Sequence, residues 1–423
     1  MSITTLDEAM AAMFGFTGER QPGRVSLQIM AEAMPLLDDP HKDLSVVHIT
    51  GTSGKTSTSY YVRALLEASG FRTGLTVSPH IIEFNERVQI AGAPLRAESF
   101  CGYVEQLLRR LAPMRGRMTY FELVICLAVW VFACERVDYA VIEVGIGGLR
   151  DATNIVNRPD KVAVIGPVGL DHTEKLGGTI AEIAAQKAGI IPPGGVAFVA
   201  RQADEALDVI ARRADQLGAE VRLVEPSELA DPDVPVFQRG NWSLALAAVA
   251  HLAERDGFAM PDRDDLLALE RVTPPARYEW FTVPPHRVLL DGAHNPQKMA
   301  GLVAAMTAQG IGPLPALATL STAPHDKIIE TVAVMAPVVS RLIVPEFQLG
   351  HADKVKQSIS PEELAEAAKY CRVPVEIVSN LPTALEALLS DPAPDLLVTG
   401  SLYLAALVRP WLAQWQDCPQ PVH

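Results

Sequence analysis

The chain has 423 residues, enough for two or three domains at about 150 residues each. Apolar residues make up 49% and charged residues 20%, which excludes a disordered composition. Lys and Arg number 36 against 50 Asp and Glu, a net charge of −14 that argues against phosphate-backbone binding as the main task and leaves any anion site to be built locally. The five cysteines (101, 126, 134, 371 and 418) are scattered without a CxxC pair, so neither a disulfide framework nor a structural zinc site is expected. The N-terminal MSITTLDEAMAAMFGF carries acids and no basic region, unlike a signal peptide. The longest apolar run, Leu123 to Cys134, is too short to span a bilayer. A cytoplasmic monomer with no nucleic-acid or membrane partner is the expectation.

The first forty residues read as helix plus loop. From there short β-branched runs alternate with helical patterns: Leu44–Thr50, Gly74–Ser78, Asp138–Gly145, Lys161–Gly169, Gly195–Ala200 and Glu220–Glu225. A second series follows at His286–Leu290, Leu314–Leu320, Arg341–Pro345, Val375–Val378 and Asp395–Thr399. Between them Arg271-Val-Thr-Pro-Pro-Ala-Arg277 has the composition of a linker. Alternation of this kind predicts an α/β protein with mostly parallel sheets covered on both faces. The expected division is a large N-terminal α/β domain, 1–277, and a smaller Rossmann-like α/β domain, 278–423.

The first strand ends in Gly51-Thr52-Ser53-Gly54-Lys55-Thr56-Ser57-Thr58 and runs into a helix predicted over Ser59–Ser69. This is a shortened G-x-x-G-K-T phosphate loop. Its glycines let backbone amides turn towards phosphate oxygens, and the helix N-terminus adds partial positive charge. Lys55 would reach the β- and γ-phosphates, and Thr56 or Ser57 would face a metal.

With the segments that follow, this loop resembles the folylpolyglutamate synthase/dihydrofolate synthase family of the Mur ligase superfamily, over roughly residues 40 to 405. The matching pieces fall in order: GTSGKTST at 51–58, SPH at 78–80, FNERV at 84–88, FE at 121–122, EVGIGG at 143–148 and DATN at 151–154. GLDHTEKLG at 169–177, QKAGII at 186–191, QxxN at 238–241, Pro-Ala-Arg at 275–277, DGAHNP at 291–296 and GSLYL at 400–404 complete the set. The resemblance implies a two-domain ATP- and Mg²⁺-dependent ligase that joins L-glutamate to a folate-type carboxylate, on dihydropteroate or a folate, through an acyl phosphate. A superfamily ligase using another acid or amino acid is the alternative.

The same resemblance assigns residues. Ser78, Glu143 and His172 would ligate magnesium, although histidine is an unusual partner for that ion. Lys187 would be carbamylated, becoming an anion beside the metal. Asn241 falls on the contact to the base region, Arg277 on the phosphates and Asp291 on the ribose hydroxyls, with His294 near the nucleotide. Phe121, Glu122, Arg150, Asp151 and Ala152 fall on the pteroate site. Three departures stand out. Ser53 replaces an asparagine, Arg150 is moved by one position relative to the family's GGRxDATN, and Glu346 to Lys356 replaces a Pro-Arg pair.

Overall fold

The computed structural model describes residues 3–18, 25–226, 234–320, 325–346, 348–351 and 354–416. The chain forms two compact units, one of residues 1–234 and 238–272 and the other of residues 235–237 and 273–423.

The larger unit begins with α1 (Leu6–Phe16) and α2 (Ser26–Ala33), then alternates β1 (Val46–Thr50), α3 (Lys55–Ala68) and β2 (Thr73–Thr76). A small hairpin, β3 (Gln89–Ile90) and β4 (Ala93–Pro94), precedes α4 (Ala97–Arg110), α5 (Tyr120–Cys134), β5 (Tyr139–Glu143) and β6 (Val162–Ile165). The short α6 (Thr173–Leu176), α7 (Ile180–Ala188), β7 (Val196–Ala200), α8 (Asp204–Leu217) and β8 (Glu220–Val224) follow, then α9 (Val236–Asp256) and α10 (Arg263–Glu270). Strand order is β4-β3-β2-β5-β1-β6-β7-β8, antiparallel only in the β2–β3–β4 edge. The central strands are buried at every position, which is why they read as continuous apolar runs without alternation.

Successive strand residues serve opposite faces. Val46, Ala140 and Ile142 join the core under α1, α2, α4 and α5, whereas Val47, Ile49 and Val141 join the one under α3 and α9. The apolar run at 123–134 is α5, a helix buried nearly all round and started by a capping box between Thr119 and Glu122. Among the described residues no helix is long and apolar enough to cross a membrane. Cys101, Cys126, Cys134 and Cys371 are free thiols, and Cys418 lies outside the described residues.

The smaller unit has a six-stranded sheet of β9 (Glu279–Val283), β10 (His286–Leu290), β11 (Leu314–Ala318), β12 (Val339–Pro345), β15 (Val375–Val378) and β16 (Asp395–Thr399). Its order is β15-β12-β11-β16-β10-β9, and only the edge strand β9 is antiparallel. The helices are α11 (Pro296–Ala308), α12 (His325–Met335), α13 (Pro361–Tyr370), α14 (Leu381–Leu389) and α15 (Leu402–Gln416); a hairpin, β13 (Gln348–His351) and β14 (Lys354–Gln357), stands apart from the sheet. Phe347, Ala352 and Asp353, within the stretch that departs from the family, lie outside the described residues, as do the side chains of 348–351 and 354–357. Neither the β3–β4 hairpin, nor β9, nor the β13–β14 hairpin was expected from sequence. The β3 and β4 strands are only two residues long, β9 is an antiparallel edge strand buried at alternate positions, and β13 and β14 pair only with each other, so none presents a continuous apolar run.

Gly74 on β2 faces the ring of Phe132 on α5, and a Cβ there would sit 2.5 Å from Phe132 Cδ1. Gly74→Ala is expected to cost about 1–3 kcal/mol by overpacking. Combining it with Phe132→Leu should recover part of that loss in chemical denaturation, and a fully additive double variant would show that the two do not pack together.

Candidate functional site

Parallel pairing decides where the chemistry-bearing residues collect. Ile49 is in register with Glu143 and Thr50 with Ile165, so the C-terminal ends of β1, β5 and β6 lie side by side. Sites in open α/β sheets form at such ends. The phosphate loop leaves β1 there, and α3 starts at Lys55, four residues earlier than its apolar periodicity indicated. Its N-terminal amides have no side-chain cap. Uncapped amides together with the helix dipole suit an anion.

The loop is pinned on three sides. Thr50 Oγ1 donates to Gly147 O at 2.7 Å, tying β1 to the glycine turn after β5. Thr52 donates from its amide to Pro167 O at 2.8 Å and from its hydroxyl to Gly169 O at 3.0 Å, and that hydroxyl accepts from Gly169 N at 3.0 Å. Gly54, at φ +78°, lies against Asn241 of α9 so closely that a Cβ would overlap Oδ1. Asn241 is itself held by donating Nδ2 to Gln238 Oε1 at 3.0 Å. The structure thus places Asn241 under the loop's glycine, and the Q-x-x-N spacing is explained by this contact on one helix. Lys55 Nζ donates to Gly51 O at 3.0 Å, and Ser53 is half-buried.

Of the two hydroxyls after Lys55, Thr56 meets the acid: its Oγ1 donates to Glu143 Oε1 at 3.1 Å, whereas Ser57 is buried. Glu143 ends β5 and is 2% exposed. Ser78 follows the end of β2, the neighbour of β5, and His172 opens α6 in the segment after β6. His172 is half-exposed at φ 50°, its Nδ1 is 3.8 Å from Glu174 Oε1, and partial burial lowers its pKa. Lys187 is buried on α7, which packs on the glycine turn: Leu149 N donates to Gln186 O at 2.7 Å, and a Cβ on Gly148 would meet that same carbonyl at 2.9 Å.

Among the described residues no three or more His, Cys, Asp or Glu gather as a metal cluster. The donors brought into contact are one hydroxyl and one carboxylate, Thr56 and Glu143. Few hard oxygens of this kind fit Mg²⁺, which keeps much of its water, better than they fit a soft or tightly caged ion.

The residues matched to the acid site surround the turn after Glu143. Phe121 packs its ring edge on Gly145, where a Cβ would be 2.5 Å from Cζ. Glu122 is buried and accepts from Thr119 N at 2.9 Å. Asp151 is buried and accepts from Ile146 N and Thr153 N at 3.0 Å each; burial raises its pKa and these bonds oppose the rise. Ala152 is buried, and Arg150 is exposed. Sequence reasoning missed the Arg87–His80 contact, in which buried Arg87 donates Nε to His80 Nδ1 at 2.8 Å. FNERV and SPH were visible only as separate motifs, and no spacing rule joins them.

In the smaller unit Asp291 follows β10 and accepts from Tyr278 N and Ala293 N, both at 2.8 Å. Burial raises its pKa, with Arg277 pulling the other way. Arg277 donates Nη1 to Ala276 O at 3.0 Å. His294 Nδ1 donates to Gly292 O at 2.8 Å, which leaves Nε2 to accept from Lys298 Nζ at 3.0 Å and makes the ring neutral.

The Mur ligase middle domain family model matches residues 49–231. A folylpolyglutamate synthase of Arabidopsis thaliana is 38% identical over 264 residues, 59% of this chain and 42% of that protein. The chain spans about half the length of the first curated relatives it matches. Among solved structures, Mycobacterium tuberculosis folylpolyglutamate synthase complexed with ADP and AMPPCP is 30% identical at a TM-score of 0.77, over 94% of this chain and 97% of that one. The bifunctional folylpolyglutamate synthase/dihydrofolate synthase of Yersinia pestis CO92 is 26% identical at a TM-score of 0.82, over 98% and 99%. Fold and phosphate loop together define a P-loop α/β protein of the Mur ligase superfamily. Within it, the chain belongs to the folylpolyglutamate synthase/dihydrofolate synthase family.

Gly54→Ala adds a left-handed alanine, at about 1–2 kcal/mol, to the overlap with Asn241. Calorimetric titration should show ATP affinity falling by about tenfold or more. Unchanged affinity would show that the loop tolerates the Cβ and that Asn241 does not shape it.

Proposed function

We propose that this chain is an ATP- and Mg²⁺-dependent ligase that adds L-glutamate to a folate-type carboxylate. The observation that carries the reading is the Thr56–Glu143 contact at the uncapped N-terminus of α3, in a chain matching an ADP-complexed folylpolyglutamate synthase over nearly its whole length.

Thr52, Ser53, Gly54, Lys55, Thr56 and Ser57 receive the phosphates of ATP, with Lys55 swinging from Gly51 O to the transferring phosphoryl group. A carboxylate oxygen of the acid attacks the γ-phosphorus, the bond to the β-phosphate oxygen breaks, and ADP leaves an acyl phosphate. The neutral amine of glutamate then attacks the acyl carbon, the tetrahedral adduct expels phosphate, and the amine nitrogen gives up its proton to complete the amide. No side-chain nucleophile takes part; the protein positions the reactants and offsets negative charge. Mg²⁺, when bound, supplies charge neutralisation at the phosphoryl oxygens, held by Thr56 and Glu143 with Ser78 and His172 as further ligands. Lys187 as a carbamate, formed by CO₂ addition to its neutral amine, adds an anion to that set. Asn241, Arg277, Asp291 and His294 belong to the nucleotide, and Phe121, Glu122, Arg150, Asp151 and Ala152 to the acid. A second reading, a ligase for another acid, draws on the exposed Leu149–Arg150 pair that departs from the family's order.

Mass spectrometry of products from dihydropteroate and from tetrahydrofolate, each with ATP and glutamate, is expected to show one added glutamyl residue on at least one of them; no product from either would favour the second reading. Glu143→Gln should raise the Mg²⁺ concentration needed for half-maximal rate, because a neutral amide is a poor partner for a hard cation. Superimposable Mg²⁺ titrations would remove Glu143 from the metal site. Lys187→Ala should lose activity that acetate partly restores, and Lys187→Arg should stay inactive; an active arginine variant would contradict the carbamate.

A further inference from the structure

A buried polar chain beneath the Asp151 turn is used by none of the steps above. Lys161, just before β6, is 1% exposed, and His48, midway along β1, is fully buried. Lys161 Nζ lies 3.4 Å from His48 Nδ1 and 3.2 Å from Asn154 Oδ1. His48 Nε2 lies 2.9 Å from Thr153 Oγ1, which lies 2.6 Å from Asp151 Oδ1. The other Asp151 oxygen accepts from Ile146 N, inside the glycine turn that follows Glu143.

Donor and acceptor counting gives this chain one direction. Asp151 already takes two backbone N–H bonds, so it stands as an acceptor and Thr153 spends its only proton on it. The threonine oxygen must therefore accept from His48 Nε2–H. His48 is then neutral with Nδ1 as acceptor, and Lys161 donates to it. The charges agree. Burial, reinforced by Lys161, holds the His48 pKa well below its usual value, and burial brings Lys161 down to about 7. Lys161, His48 and Asp151 are the titratable members; nearby Arg158 and Asp160 pair with each other at 2.7 Å.

We propose that Lys161, His48 and Thr153 are positioning residues for the acid substrate, forming a one-way hydrogen-bond relay that orients the Asp151 carboxylate and, through Ile146 N–H, the turn after Glu143. This rests on the assignment of Asp151 to the acid in the proposed function, so the test has an arm that is independent of it.

Thr153→Val removes the relaying hydroxyl at nearly constant volume and strands both its neighbours. The KM for the acid is expected to rise about tenfold, as for loss of a bond to a charged group, while the KM for ATP changes less than about twofold. Thr153→Ser should restore the acid's KM. An acid KM unchanged by Thr153→Val, or one that rises in step with that for ATP, overturns the positioning role. The independent arm is the ring ¹⁵N spectrum of His48 in the whole protein. It should report neutral imidazole protonated at Nε2 from pH 6 to 9, and protonation at Nδ1 overturns the relay even if no acid is ever ligated.

A stability measurement adds the lysine. Lys161 in the folded chain loses its proton near pH 7, whereas an unfolded lysine keeps its proton to about 10.4. Between those values the unfolded state binds the extra proton, so wild-type stability gains a contribution that rises with pH. In Lys161→Met this rise should be missing; identical pH profiles would show that Lys161 is solvated in the folded chain and not buried beside His48, which removes it from the relay.

Discussion

The phosphate-binding side of the larger unit is organised around one contact, the Thr56 hydroxyl donating to Glu143 Oε1 at 3.1 Å. It joins the first turn of α3 to the end of β5 through two residues 87 positions apart in the chain. It exists because β1 runs parallel to β5, with Ile49 opposite Glu143, so the strand that launches the phosphate loop ends beside the strand that supplies the acid. An antiparallel partner would carry its C-terminal end to the opposite edge. The contact also sets a hard-oxygen pair beside free helix amides, and it does so inside a chain of net charge −14. An anion bound here would be met by local geometry: uncapped amides, one lysine and any cation held by the carboxylate.

The loop around that contact owes its shape to neighbours more than to its own residues. Thr50 and Thr52 anchor it to the turns after β5 and β6, and Asn241 closes it from α9. Glycine at 54 has two separate reasons, a positive φ and the absence of room for a Cβ. The turn after Glu143 is organised in the same manner: Gly145 accommodates the Phe121 ring, and the buried Asp151 is held by amides and by Thr153.

Much of this was readable from the chain. The eleven runs expected as strands all became sheet strands; the central ones are buried on both faces and leave an apolar signature that needs no partner to detect, while the edge strands β8 and β15, partly exposed, were legible from their β-branched residues. The weakly apolar pieces were not readable: the two-residue strands at 89–90 and 93–94 and the edge strand at 279–283 owe their form to pairing within a larger sheet, and the strands at 348–351 and 354–357 pair only with each other. In the site, the phosphate loop and Glu143 were visible as motifs. That Thr56 meets Glu143, or that Asn241 lies under Gly54, was not, since each contact spans a separation no periodicity encodes. His48 and Lys161 look like ordinary strand residues in the sequence, and only the three-dimensional fold brings Lys161 Nζ to 3.4 Å from His48 Nδ1.

The central claim is that the phosphate loop and its acid direct a phosphoryl group onto the substrate's carboxylate before glutamate arrives. Labelling both carboxylate oxygens of the acid with ¹⁸O tests this directly. Transfer through an acyl phosphate predicts one labelled oxygen in the inorganic phosphate released for each amide formed. Amide formation with unlabelled phosphate would contradict it.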